Sequence, residues 1–261
     1  MEQAATQTPW ADFKKWWTNR EENNEDESGL DYYPSHPLIS PAMITGNTVI
    51  TVLDIPSMKY LYLSPNFFDF FGLEKEQVLK KGVEFSFSQV HPHDKVGITT
   101  FSEVLTAYFK ALPNSLRGSY RTYWDYRLLK NKSREYHRFL QQDSVLAHDE
   151  SGNILQLLVV GVKIENVIPD TSQHLRLTNG IENLFYKYDH ATKAVAQLQL
   201  PTEREMEIVK LIAKSATLKQ IAEKLNISFN TVKSHSTNIM QKLQVKDSLE
   251  MVNLLRVWGF I

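Results

Sequence analysis

The strongest constraint on this chain lies near its C-terminus, in a segment that must satisfy two surfaces at once. With about 100° between successive helical residues, Phe229, Val232, Ser236, Ile239, Met240 and Leu243 gather on one side of a helix over Phe229–Leu243. Asn230, Ser234, Thr237, Asn238 and Gln241 gather opposite, with Thr231 and Lys233 on the flanks. The first side is a packing stripe, with His235 at its margin as a structural residue. The second is polar, edged by a cation and free of carboxylates, which suits the major groove of DNA. There amides and hydroxyls can hydrogen-bond base edges and a Lys can reach a guanine or a phosphate, whereas a carboxylate would be repelled by the backbone.

The neighbouring residues supply the rest of a helix-turn-helix. Thr202 with Glu205 three positions on is a capping box, and Ile208, Val209, Leu211 and Ile212 give that helix an apolar face to about Lys214. A short helix over Leu218–Leu225 buries Ile221, Ala222 and Leu225; Asn226, Ile227 and Ser228 turn the chain, with Ser228 as the next cap. A fourth helix, residues 248–258, offers Met251, Val252, Leu254 and Leu255 for packing. Charge follows the same division. The whole chain is near neutral, 29 basic against 30 acidic side chains, but residues 201–261 hold nine Lys or Arg and six Asp or Glu, a net of +3. That leaves 20 against 24, a net of −4, for residues 1–200.

These motifs, LPTEREMEIVKLIAK, LKQIAEKLNIS and NTVKSHSTNIMQKLQV in that order and spacing, closely resemble the DNA-binding domain of the LuxR family over residues 200–261. In that family the residues just after the TVK segment enter the major groove and the fourth helix contributes to dimerisation. The resemblance implies that Lys233, Ser234 and Thr237 read bases beside Asn230 and Asn238, and that Thr231, Lys219 and Lys242 meet phosphates. Two residues depart from the family pattern: Ser215 stands where Gly is common, and Ser248 where Arg is common.

The first two-thirds of the chain reads differently. Thr8 and Pro9 open a short helix with Trp10, Phe13, Trp16 and Trp17 near one face, and residues 20–31, REENNEDESGLD, form a solvated acidic connection. From Asn47 the pattern alternates: TVITVLDIPSMKYLYLS places a hairpin around Ile55, Pro56 and Ser57. Helical turns over residues 66–71 and 74–81 and an amphipathic helix over 94–112 follow. Strands over 119–129, 135–147 and 154–164 complete the block, the last two joined across HDESGN. Two strands, helices, then three strands make an α+β arrangement with an antiparallel sheet. YLSPNFFDFFGL, VHPHDK and YRLLKNKSREYHRFL, in this order within residues 45–166, resemble a PAS domain, a sensor module whose five-stranded sheet carries helices on one face. That resemblance implies sensing or dimerisation and names no ligand. Residues 167–199 are expected to be a connector, with a hairpin at Asn179 and Gly180.

The expected organisation is therefore an N-terminal helix and acidic connection (1–44), a PAS-like domain (45–166), a connector (167–199) and an all-α four-helix helix-turn-helix domain (200–261). The expected function is a dimeric transcriptional regulator acting on double-stranded DNA at a pseudo-palindromic site. The signal would be a small ligand or partner protein at the PAS-like domain, and the address cytoplasmic. The alternative is a ligand-binding or interaction module whose C-terminal helices mainly dimerise. With no cysteine, disulfides, thiol nucleophiles, Cys-based zinc sites and sulfur-linked flavins or chromophores are excluded. GxSxG, GxxxxGK[ST] and HExxH are absent too, so neither an enzyme nor a cofactor is expected. His91, His93 and Asp94 carry metal-ligating groups but read better as a helix start at Pro92, and His137 as a sheet residue. The longest apolar run, residues 154–162, falls well short of the roughly 20 needed to cross a bilayer.

Overall fold

The computed structural model describes residues 47–130, 135–164 and 171–261, so the aromatic helix and acidic connection read from residues 1–44 lie outside the described part. The hairpin forms as the alternation predicts, with β1 (Thr48–Asp54) and β2 (Lys59–Leu63) antiparallel about residues 55–58. Four short or long helices lead back to the sheet: α1 (Phe67–Phe71), α2 (Lys75–Lys81), α3 (Val83–Ser88) and α4 (Pro92–Ala111), followed by the single turn α5 (Asn114–Arg117). His91 caps α4, its Nδ1 accepting from the His93 amide at 3.3 Å, and Pro92 occupies the first helical position. Asp94 is engaged elsewhere: its carboxylate grips the Arg127 guanidinium at 2.6 and 3.0 Å, with the side chain fully buried.

Strands β3 (Arg121–Lys130), β4 (Glu135–His148) and β5 (Ile154–Lys163) pair as an antiparallel set that closes on β1. Here the structure corrects the expectation of five strands. Residues assigned to a connector form β6 (Ser172–Thr178), β7 (Asn183–Asp189) and β8 (Ala194–Gln197), and the sheet has eight strands in the order β2-β1-β5-β4-β3-β6-β7-β8. The hairpin at Asn179 and Gly180 is real, joining β6 to β7. The physical reason is that β3 would otherwise expose a row of unpaired amides and carbonyls. β6 takes that edge, with Arg121 opposite Thr178 and Trp124 opposite Leu175. Its sequence, SQHLRLT, lacks clean alternation because both of its faces are covered.

On one face α1–α4 close a core that includes Val49, Phe71, Phe101, Trp124 and Phe139, and this core also takes Leu175, Leu177 and Tyr188 from the added strands. Helix α4 comes so near to β6 that a Cβ at Gly97 would sit 1.9 Å from Gln173 Oε1 and 2.9 Å from the Tyr188 ring. Between the sheet and α1, α3 and α4 lies a cavity of about 110 Å³. Its wall is mostly apolar, with Phe67, Phe71, Leu128 and Val159, but Tyr126, Gln141 and Asp143 also reach it. Tyr126 donates to Gln141 Oε1 at 2.9 Å, Gln141 Nε2 to Asp143 Oδ1 at 2.8 Å, and Thr122 to Asp143 Oδ2 at 3.3 Å. Burial pushes the Asp143 carboxyl up to about 7 against the pull of those hydrogen bonds and of a further one from Trp124.

If β6 and β7 belong to the core of the sheet domain, Gly97→Ala must force Gln173 and Tyr188 aside. Overpacking of this kind costs about 1 to 3 kcal/mol, and denaturant unfolding should show a loss in that range. A loss below about 0.5 kcal/mol, the size of a neutral surface change, would mean that α4 does not rest on β6 and β7.

Candidate nucleic-acid interface

The C-terminal residues form four helices: α6 (Glu203–Ile212), α7 (Leu218–Leu225), α8 (Phe229–Leu243) and α9 (Ser248–Val257). The capping box at Thr202 is present in both directions, and a second, Thr217 with Gln220, starts α7. The second box has the same spacing of three and could have been read from the sequence. Asn226 ends α7 in the left-handed conformation, and Ser228 caps α8 by accepting from the Thr231 amide at 3.0 Å. Arg204 adds a tie across the motif by donating to the Leu225 carbonyl at 3.0 Å. Ile208, Ile221, Ala222 and Val232 share one small core among α6, α7 and α8.

That core fixes the orientation of α8. Val232, Ile239 and Leu243 are fully buried and Ser236 nearly so, while His235 is half-buried at the edge. Phe229 departs from the expected stripe: at the first position of the helix it is 49% exposed. Asn230, Thr231, Lys233, Ser234, Thr237 and Asn238 are all exposed along the opposite side, and the helix contains no acidic residue. Lys219 is exposed in the first turn of α7. The structure therefore brings seven of the eight candidate residues to solvent.

Lys242 is the exception. It is half-buried, and its Nζ lies 2.6 Å from Glu205 Oε2. Burial tends to raise the Glu205 carboxyl, but Lys242 and the Thr202 cap outweigh it and hold it below the usual carboxylate range. This pair ties α8 to the capping box of α6, so the charge of Lys242 is largely spent inside the domain. The spacing of 37 residues gave no local signal for it. Two hydroxyls are also engaged: Thr231 Oγ1 lies 2.8 Å from Ser228 Oγ, and Thr237 donates to the Lys233 carbonyl at 3.1 Å.

The domain is seated on the sheet. Trp258, just past α9, is 1% exposed and packs against Phe185 and His174 at 5.3 and 5.8 Å between ring centroids. The Trp258 carbonyl accepts from Arg176 at 2.5 Å, and the Arg176 guanidinium lies over the Phe260 ring at 4.3 Å. Lys187 donates to the Gln244 carbonyl at 3.0 Å. None of these partners was anticipated, since 82 residues separate Arg176 from Trp258.

Ser215, where Gly is common in similar domains, has φ of +62°, the left-handed region that penalises a Cβ. Replacing it with Gly removes that strain at the cost of backbone entropy, so Ser215→Gly should stabilise the protein by up to about 1 kcal/mol. Thermal unfolding checks the sign; a destabilised variant would show that the serine is not strained.

Comparison with known proteins locates the resemblance. Over 85 residues the chain is 38% identical to the oxygen regulatory protein NreC of Staphylococcus haemolyticus, a match covering 32% of this chain and 39% of that protein. It is 38% identical over 89 residues to the response regulator protein VraR of Staphylococcus saprophyticus, covering 32% of this chain and 43% of that one. The chain thus spans about two-fifths of the length of these relatives. Among solved structures, VqmA of Vibrio cholerae in a complex with ligand and DNA aligns over 83% of this chain and 85% of its own, at 16% identity and a TM-score of 0.28. So low a score bears no argument about the whole fold. Residues 200–255 match the family described as bacterial regulatory proteins, luxR family, and α6–α9 are accordingly a LuxR-type helix-turn-helix domain.

Proposed function

We propose that this protein is a sequence-specific transcriptional regulator that places α8 in the major groove, binds a pseudo-palindromic site as a homodimer and acts in the cytoplasm. The observation that carries the reading is the exposed, acid-free face of α8, held outward by a fully buried stripe on its other side. In this reading Lys233, Ser234, Thr237, Asn230 and Asn238 are the base-reading set, and Lys219 and Thr231 meet phosphates. Lys242 holds α8 against α6 instead.

Residues 45–166 serve as a PAS-like sensing module in this reading. Support comes from the antiparallel sheet, the helices between its second and third strands, and the cavity between them. The alternative, in which the C-terminal helices only dimerise, fits less well, because Met251, Val252, Leu254 and Leu255 of α9 are already buried within the chain. Leu249, 69% exposed, is the apolar residue of α9 left for a second copy.

Titrating operator affinity against salt tests the assignment of charges. Lys233→Ala should weaken binding and reduce the salt slope by about one. Lys242→Ala should leave the slope nearly unchanged while costing about 1 to 2 kcal/mol of stability, since it strands the buried Glu205 carboxylate. Equal slopes for wild type and Lys233→Ala would remove Lys233 from the interface.

Site selection from random DNA tests the symmetry. A dimeric reader should enrich an inverted repeat whose half-sites lie about one helical turn, roughly 10 base pairs, apart. An enriched consensus with no inverted repeat would contradict the dimer.

A further inference from the structure

The cavity behind the sheet contains one group that the packing of an apolar core does not call for. Asp143 is 3% exposed, and no cation among the described residues forms an ion pair with it. Buried carboxylates are ordinarily paired, because removing an ionised group from water is costly. Gln141, Thr122 and Trp124 supply hydrogen bonds to it, whereas a carboxylate can accept about four. One acceptor place is therefore left over on a side chain that lines the cavity.

Size restricts what could use it. The cavity, about 110 Å³, is somewhat smaller than the roughly 150 Å³ apolar cavity that accepts benzene. Sites for drug-sized ligands and large cofactors run from about 300 to 1,000 Å³. A haem, a flavin or a nucleotide does not fit without rebuilding the core, whereas a single ring needs only small adjustments. The wall then selects polarity. Phe67, Phe71, Leu128 and Val159 exclude a charged molecule, and the polar groups Tyr126, Gln141 and Asp143 run as one ladder across β3 and β4. Tyr126 spends its proton on Gln141, and Gln141 spends an N–H on Asp143, so the end of this ladder is an acceptor.

We propose that the cavity is a binding site for a small uncharged aromatic ring bearing one O–H or N–H donor, and that Asp143 is the residue that recognises the donor. The bound ring fills the apolar space, and its donor supplies to the carboxylate what burial withholds. The inference rests on the reading of residues 45–166 as a sensing module.

Phenol and benzene, which differ by a single hydroxyl, are the probes. Binding to the full chain, without DNA, is followed by chemical-shift changes of the Phe67, Phe71 and Val159 side chains. Wild type should bind phenol up to about tenfold more tightly than benzene, the net worth of one hydrogen bond. Asp143→Leu, similar in size and apolar, should bring the two affinities within about twofold of each other, as expected once the acceptor is gone. Asp143→Asn, which keeps an acceptor oxygen, should retain part of the preference and guards against a folding defect in the leucine variant. The inference is overturned if neither probe shifts these side chains, if wild type binds both equally, or if the preference survives in Asp143→Leu. Operator titration of the same samples separates the two ideas. Phenol that binds with the expected preference yet leaves operator affinity unchanged would keep the site and refute sensing through it. Loss of the preference with normal operator binding would refute the site alone.

Discussion

The arrangement depends on how the sheet is continued past β3, and that rests on the carboxylate of Asp125. The β3–β6 ladder runs from Arg121 opposite Thr178 to Trp124 opposite Leu175 and then stops. At the next step the fully buried Asp125 accepts from the His174 amide at 2.7 Å, so its side chain takes over where the backbone of β3 leaves off. The same carboxylate is ion-paired with Arg138 of β4, whose guanidinium also donates to the Ser172 carbonyl at 3.1 Å. Burial tends to raise the Asp125 carboxyl, but Arg138 and His174 outweigh it and hold it low. One buried charge thus joins β4, β3 and β6. Removing it would take from the buried Arg138 the ion pair that joins these strands, and losing one half of a buried pair is costly.

With β6 fixed there, its two faces serve two bodies. Gln173, Leu175 and Leu177 meet the helix layer, and Gln173 also donates to the Asp125 carbonyl at 3.0 Å. His174 and Arg176 point the other way, where His174 stacks on Phe185 and Arg176 holds the Trp258 carbonyl. Burial lowers the His174 imidazole below its usual range, which keeps the ring neutral and suited to stacking. The wall of the cavity and the seat of the DNA-binding domain are consequently neighbours within one sheet. Trp124 lines the cavity and lies opposite Leu175 of β6, and the next residue of β6 carries the bond to Trp258. A displacement of β3 has to be taken up by β6 or break the ladder between them.

What could be read from the sequence follows from the range of the interactions. The helices of residues 200–261 were legible because caps and apolar faces are local: Thr202 with Glu205 and Ser228 with Thr231 lie three residues apart, and the stripe of α8 repeats every three or four. The strands between residues 48 and 163 were legible for the same reason. β6 and β7 were legible only as a hairpin at Asn179 and Gly180 and not as part of the sheet, since β6 is covered on both faces and shows no clean alternation, and its partners in the helix-turn-helix lie far along the chain. Within the candidate interface the outward direction of each residue was readable, while the engagement of Lys242 with Glu205 was not. Spacing shows which way a side chain points; which distant group it finds is decided by tertiary packing.

The outward face itself limits how DNA can be read. The C-terminal part has a modest excess of positive charge, and Lys242 is already neutralised by Glu205, so long-range attraction is weak and selectivity falls to short-range contacts. Thr237 has given its proton to the Lys233 carbonyl and can only accept, which fits it to the amino groups of adenine or cytosine. Thr231 shares its hydroxyl with the Ser228 cap in the first turn of α8, where in the proposed complex it would fix the helix on the backbone. Asn230 and Asn238 each keep a donor and an acceptor exposed and so can address adenine with both, while Lys233 alone carries a free charge among the outward residues of α8. In the proposed complex most discrimination would fall to uncharged groups, with one cation setting the register on the phosphates or a guanine.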